Sequence, residues 1–126
     1  MLRCVLASMA LAAAVPVAAQ SVNRNFPATA LRGELVLQQP PEALLNGVPA
    51  RLSPGARIRG TNNLLVMSGA IVGQPYLVHY TLDDQGLVHL VWILSDAELA
   101  KKPWPVTLQQ QKTWVFDPVG QTWSKP

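Results

Sequence analysis

Charge, aromatic side chains and cysteine are all scarce in this sequence. Charged residues fill 13% of its 126 positions and aromatic residues 6%, and its one cysteine is Cys4. The length is that of one small domain, which excludes a multi-domain enzyme or a long solenoid. A formal charge of +3 is too slight to point to nucleic acid or an acidic lipid surface as a partner.

What the sequence does have begins at its N-terminus. Met1 and Arg3 give a short positive start, and Val5 to Val17 then runs without a charge. That run is shorter than the roughly 20 residues a membrane-spanning helix needs. Val17-Ala18-Ala19 follows with residues a signal peptidase accepts. Residues 1–19 therefore read as a secretory signal, cut between Ala19 and Gln20, and the protein is expected in the periplasm or outside the cell. A lipoprotein cysteine follows its apolar run, whereas Cys4 precedes this one, so lipid attachment is not expected. Removal of the signal leaves no cysteine, which excludes disulfides, thiol-attached haem, Cys-containing zinc sites and Cys nucleophiles. It also leaves nine basic residues against seven acidic ones and no integral membrane segment. Stability must come from a packed core.

Proline and glycine, 11 and 8 in number, punctuate the rest. Residues 20–30, polar and aperiodic, read as a flexible leader. Leu31, Gly33, Leu35 and Leu37 share one face of a first strand, which Pro40-Pro41 stops. Asn46-Gly47 predicts a two-residue hairpin turn, because both residues accept positive φ. Ser53-Pro54-Gly55 reads as a second turn, followed by short strands at Ala56–Arg59 and Leu64–Met67. Tyr76, Val78, Tyr80 and Leu82 alternate along one arm of a longer hairpin, and Val88, Leu90, Trp92 and Leu94 along the other. A three-residue loop at Asp84-Gln85-Gly86 pairs Leu82 with Val88 and Tyr80 with Leu90, bringing the apolar faces together.

Ser95-Asp96-Ala97-Glu98 is a capping box that opens a short helix reaching about Lys102, with acids in its first turn and Lys101-Lys102 in its last. Pro103 and Pro105 end it. In the tail, residues 103–126, Trp114-Val115-Phe116 and Gln121-Thr122-Trp123 flank a turn at Asp117–Gly120 and predict a terminal hairpin. Short strands at close spacing with Gly/Pro turns predict an all-β fold over residues 31–102. The expected form is a small antiparallel barrel, OB-like or alternatively SH3-like, with one short C-terminal helix.

Three features, Asn46-Gly47, Leu52-Ser53-Pro54-Gly55-Ala56-Arg57-Ile58 and Asp83-Asp84-Gln85-Gly86-Leu87-Val88 leading to Trp92-Ile93-Leu94, carry a resemblance. The stretch Leu35–Leu94, about half the chain, resembles small exported bacterial OB-like barrels of unknown function. The resemblance implies a periplasmic module and transfers no catalytic residues.

Candidate site residues fall into three groups. His79 and His89 lie diagonally on one outer face in the hairpin register above, about 7–8 Å apart. With Asp83 they form a candidate zinc or copper site, against the plainer reading of two solvated surface histidines. Arg51, Arg57 and Arg59 form the densest cationic group, a binding edge on an OB-like barrel or simply a solubilising one. Trp114, Phe116 and Trp123 either fold back on the barrel or form an adhesive strand for another chain. Ser68-Gly69 lacks the nucleophile elbow a hydrolase would show, and no phosphate loop or dinucleotide fingerprint occurs. No cofactor is expected. The sequence thus points to a non-enzymatic binding or assembly module of the cell envelope, its partner an envelope protein or a glycan and not nucleic acid. A periplasmic metal-binding protein is the first alternative, and a small hydrolase using Ser68 the second.

Overall fold

A computed structural model describes residues 23–126; the expected signal with its cut site, and Cys4, lie outside the described residues. Strand β1 (Leu31–Leu37) buries Leu31, Gly33, Leu35 and Leu37 on one side, the alternation its sequence carries. It pairs antiparallel with β2 (Glu42–Leu45), which turns through Asn46-Gly47 into β3 (Val48–Arg59). Asn46 and Gly47 have φ of 53° and 78°, the left-handed pair that a tight hairpin demands. The Asn46 side-chain oxygen also accepts from the Glu34 amide at 2.9 Å, tying the turn back to β1. Gly33 makes that approach possible, since a Cβ there would sit 3.0 Å from the Asn46 side chain and 3.1 Å from the Tyr80 ring.

Ser53-Pro54-Gly55 does not turn the chain. It stays within the long strand β3, at a register irregularity between Leu52 and Arg57. Pro54 has no N–H to give a ladder, and a bulge is where a strand tolerates that loss. After β4 (Leu65–Val66) and a 3-10 turn at Ser68–Ala70 come β5 (Pro75–Leu82) and β6 (Val88–Ile93). Five strands close in the order β1-β2-β3-β6-β5, and β4 adds to the outside of β3. This is the all-β, OB-like small barrel expected, with one seam, β3 against β6, running parallel.

The β5–β6 turn forms as read: the Asp83 amide donates to the Leu87 carbonyl at 2.8 Å, Gly86 takes φ 79°, and Leu82 faces Val88. Beyond it the register departs from expectation. Tyr80 faces Val91 rather than Leu90, because β6 carries one extra residue. Thr81 Oγ1 accepts the Leu90 amide at 3.2 Å, occupying a donor the bulge frees. Val88 and Val91 therefore point inward, and Trp92 is turned out. The barrel core comprises Leu31, Leu35, Leu37, Ala43, Leu52, Ile58, Val78, Tyr80, Val88 and Val91.

A second layer covers the outer face of β5 and β6. α1 (Asp96–Leu99) is shorter than expected, so Lys101 and Lys102 lie past its end, but its capping box is complete. α2 (Leu108–Thr113), capped by the Thr107 side chain, is an element the sequence reading did not include. The hairpin β7 (Val115–Asp117) and β8 (Thr122–Ser124) pairs Phe116 with Trp123. Phe26, Ala30, Leu94, Trp104 and Trp123 form the buried centre of this layer. The segment expected to be a flexible leader thus supplies part of a core, because Phe26 and Arg24 have partners far along the chain. Among the described residues no helix is long and apolar enough to cross a membrane.

Candidate binding pocket between the barrel and the second layer

Two arginines fix α1 onto the barrel. Arg24 donates from Nε to Glu98 Oε2 at 2.9 Å and from its Nη atoms to Glu98 Oε1, the Gly60 carbonyl and the Ile93 carbonyl. Glu98 Oε1 also accepts from the Ser95 amide at 2.9 Å, so one carboxylate closes the capping box and meets the guanidinium. Burial pushes the Glu98 carboxyl upward, but the Arg24 hydrogen bonds and charge, with the bonds from Ser95, outweigh it and hold the group below its usual range. Arg32, on β1, caps the other end of α1: its Nη atoms donate to the carbonyls of Glu98 and Lys101 at 2.9 and 3.0 Å. Basic side chains suit the unpaired carbonyls at a helix C-terminus.

His79 lies between these arginines and the aromatic layer. It projects from the outer face of β5, is 1% exposed, and stacks on Trp104 at 4.1 Å with Phe26 edge-on at 4.4 Å. Arg32 Nε donates to His79 Nε2 at 3.2 Å. An arginine only donates, so Nε2 is the acceptor and the proton of the neutral ring sits on Nδ1. Nδ1 is buried without a hydrogen-bond partner among the described residues. Burial, then the charges of Arg32 and Arg24, depress the His79 pKa from 6.5 to about 2.

Around this group lies a cavity of about 340 Å³, walled by Asn23–Phe26, His79, Ser95, Ala97, Glu98, Lys101, Trp104, Val119 and Gln121. Its volume falls within the range of small-ligand pockets. Gln121, in the turn of the terminal hairpin, reaches the segment before β1, accepting from the Phe26 amide at 2.8 Å and donating to the Pro118 carbonyl at 2.9 Å.

The site residues read from sequence are dispersed. The proposed metal set is not assembled: His79 faces Trp92 and is engaged by Arg32, His89 Nδ1 shares a 2.9 Å hydrogen bond with Ser53 Oγ, and Asp83 Oδ1 accepts the amides of its own turn. No group of three or more His, Cys, Asp or Glu side chains among the described residues is placed to hold a metal ion. The bulge in β6 is the physical reason, since it breaks the register that would have put the two rings on a diagonal. Ser68 opens a 3-10 turn, and the serine that meets a histidine is Ser53, not Ser68. Arg51 is exposed beside Glu42 at 3.6 Å, Arg57 is exposed, and Arg59 donates to the Asn63 carbonyl at 2.9 Å. Trp114, Phe116 and Trp123 fold back onto the second layer, the first of the two arrangements read from sequence. Trp123 is buried 6.0 Å from Trp104 and 4.8 Å from Phe116, and Trp114 packs beside them.

Sequence reading missed Arg24, Arg32 and Glu98 as a set. Glu98 was legible as a cap, but its second role depends on a partner 74 positions away. Comparison with known protein families, with curated proteins and with solved structures finds no match.

Proposed function

We propose that the protein is a non-enzymatic binding or assembly module of the cell envelope, and that the pocket between its layers receives a group of an envelope protein or a glycan. The observation that carries this reading is the geometry of the cavity, where Arg24 and Ser95 hold Glu98 and Arg32 holds His79 beside the Phe26 and Trp104 rings. Arg24 and Ser95 hold the Glu98 carboxyl below its usual range, and burial, then the charges of Arg32 and Arg24, depress the His79 pKa to about 2. General acid–base catalysis needs a group that changes protonation near the working pH, and these two do not. What they offer is a set of immobile donors and acceptors beside the Phe26 and Trp104 rings, the mixed lining of a recognition pocket. The placement in the envelope is supported by the positive start, the charge-free run Val5–Val17 and Val17-Ala18-Ala19.

Crosslinking in the native envelope followed by mass spectrometry tests this. Ala97 lines the cavity and is exposed, so Ala97→Trp fills the opening with little cost to the fold. A partner protein or glycan recovered with the wild-type chain and lost with Ala97→Trp is the expected result. Equal recovery from both chains overturns the reading.

A further inference from the structure

Large exposed apolar side chains gather between positions 64 and 72: Leu64 is 65% exposed, Leu65 60%, Met67 82% and Val72 44%. Scattered surface leucines need no explanation, but a contiguous apolar patch marks a contact site. Leu64, Leu65 and Met67 lie along the β3–β4 edge of the barrel, where Arg59 faces Trp92 of β6, while Val72 bridges to Leu37 of β1. β4 pairs with β3 in the register Ile58↔Val66 and Arg59↔Leu65. Ile58 is buried in the barrel and Val66 packs against the same core. Strand alternation therefore puts Arg57, Arg59 and Leu65 together on the outer surface, with Met67 just beyond the strand end.

The charge of this region differs from that of the whole chain. No carboxylate falls between Glu42 and Asp83 in the sequence; Arg51 lies beside Glu42 of β2, which leaves Arg57 and Arg59 as the cations on the outer surface next to Leu65. The mild net charge of the molecule hides a stretch of one sign, because the acids collect in β1, β2, the β5–β6 turn, α1 and the terminal hairpin. Cations beside protruding leucine and methionine side chains are the combination that an anionic lipid surface recognises, the apolar groups entering the headgroup boundary while the guanidinium groups meet phosphate. A second copy of the chain is a poorer occupant, since an isologous contact would set the arginines of both copies against each other. Nucleic acid or an acidic peptide leaves Leu64, Leu65 and Met67 in water.

We propose that the outer surface of β3 and β4, with Met67 just beyond the strand end, docks the protein on an anionic lipid surface. This does not rest on the pocket reading. The chain from Gln20, without the expected signal, is the one to use, because the run Val5–Val17 would bind lipid by itself. Cosedimentation is measured with vesicles of phosphatidylglycerol and phosphatidylethanolamine, and with vesicles of phosphatidylcholine alone. Binding to the anionic vesicles that weakens with salt and is nearly absent on phosphatidylcholine is expected. Leu65→Ser reduces the partition coefficient about tenfold, the loss of much of one leucine's transfer, and Arg57→Ala about fivefold. Val115, 69% exposed on the terminal hairpin, is the control: Val115→Ser leaves binding unchanged. Thermal melts matching the wild type confirm that the variants are folded. Equal binding to both vesicle types, no binding, or equal loss in Val115→Ser overturns the proposal. So does a dimer in sedimentation that Leu65→Ser abolishes, which would make a second copy the occupant.

Discussion

The barrel interior and the layer on its flank are built from different materials. Both tyrosines, Tyr76 and Tyr80, belong to the barrel cluster, while all four tryptophans and both phenylalanines belong to the second. The barrel is closed by strands joined mostly through short turns and filled with aliphatic side chains. The flank has little regular structure, and its polar ties, Arg24 to Glu98 and Phe26 to Gln121, span 74 and 95 positions. The difference teaches that one region is specified by local rules and the other by a few distant partners. A layer held by few long-range ties is the natural candidate to open first, and the aromatic residues divide so that each region carries its own optical probe.

The largest effect comes from cutting the ion pair. Glu98→Ala leaves the Arg24 guanidinium buried, its side chain 4% exposed, without a counter-charge, and removes the capping carboxylate of α1. Breaking a buried pair by taking one partner costs about 3–5 kcal/mol. In a urea titration the tryptophan emission transition moves to lower denaturant by more than the tyrosine signal in near-ultraviolet circular dichroism. Equal displacement of both signals would show that barrel and flank unfold as one unit.

A medium effect separates the regions by pH. A histidine whose folded pKa is depressed favours the folded state only while it is neutral in both states. Its stability contribution is therefore complete above the ordinary value of 6.5 and is lost as pH falls from there toward about 2. Over that window the unfolded chain binds one more proton, so stability falls with acid at up to about 1.4 kcal/mol per pH unit. Glu98, held low, acts in the same direction but only below the ordinary carboxylate range. Between pH 6.5 and 5 the slope is expected to flatten in His79→Phe, measured as the urea midpoint of tryptophan emission. A slope unchanged by that substitution would remove His79 as its origin.

The same division explains what could be read from the residues alone. Asn46-Gly47, the Asp83–Gly86 turn, the alternation of β1 and the Ser95/Glu98 box are each settled by atoms within a few positions, so the all-β barrel class was legible. The bulge at Leu90 was not, because it depends on Thr81 competing for an amide across the hairpin, and with it went the His79/His89/Asp83 site. Ser53-Pro54-Gly55 has the composition of a turn, yet pairing of β3 with both β2 and β6 keeps it extended; tertiary closure overrode a local preference. The pocket was illegible for a simpler reason. Arg24 sits in a polar stretch whose only signal of order is the Phe26 two residues on, and nothing nearby shows that Glu98 and Gln121 will meet them.

The smallest effects sharpen the comparison by placing one local signal in each region. Gly47 holds φ 78° with open space around its missing Cβ, so Gly47→Ala adds backbone strain and no clash, costing about 1 kcal/mol. Thr107 caps α2 by accepting the Gln110 amide at 3.1 Å, and Thr107→Ala costs about the same. The two substitutions match in size but not in reach. Gly47 joins two of the five strands that close the barrel, on which the flank rests, so its substitution lowers the tyrosine and tryptophan transitions together. Thr107 serves a helix with no buried residue, so its substitution displaces the tryptophan transition alone. Displacement of the tyrosine signal by Thr107→Ala would mean that the barrel depends on the flank as much as the flank depends on the barrel.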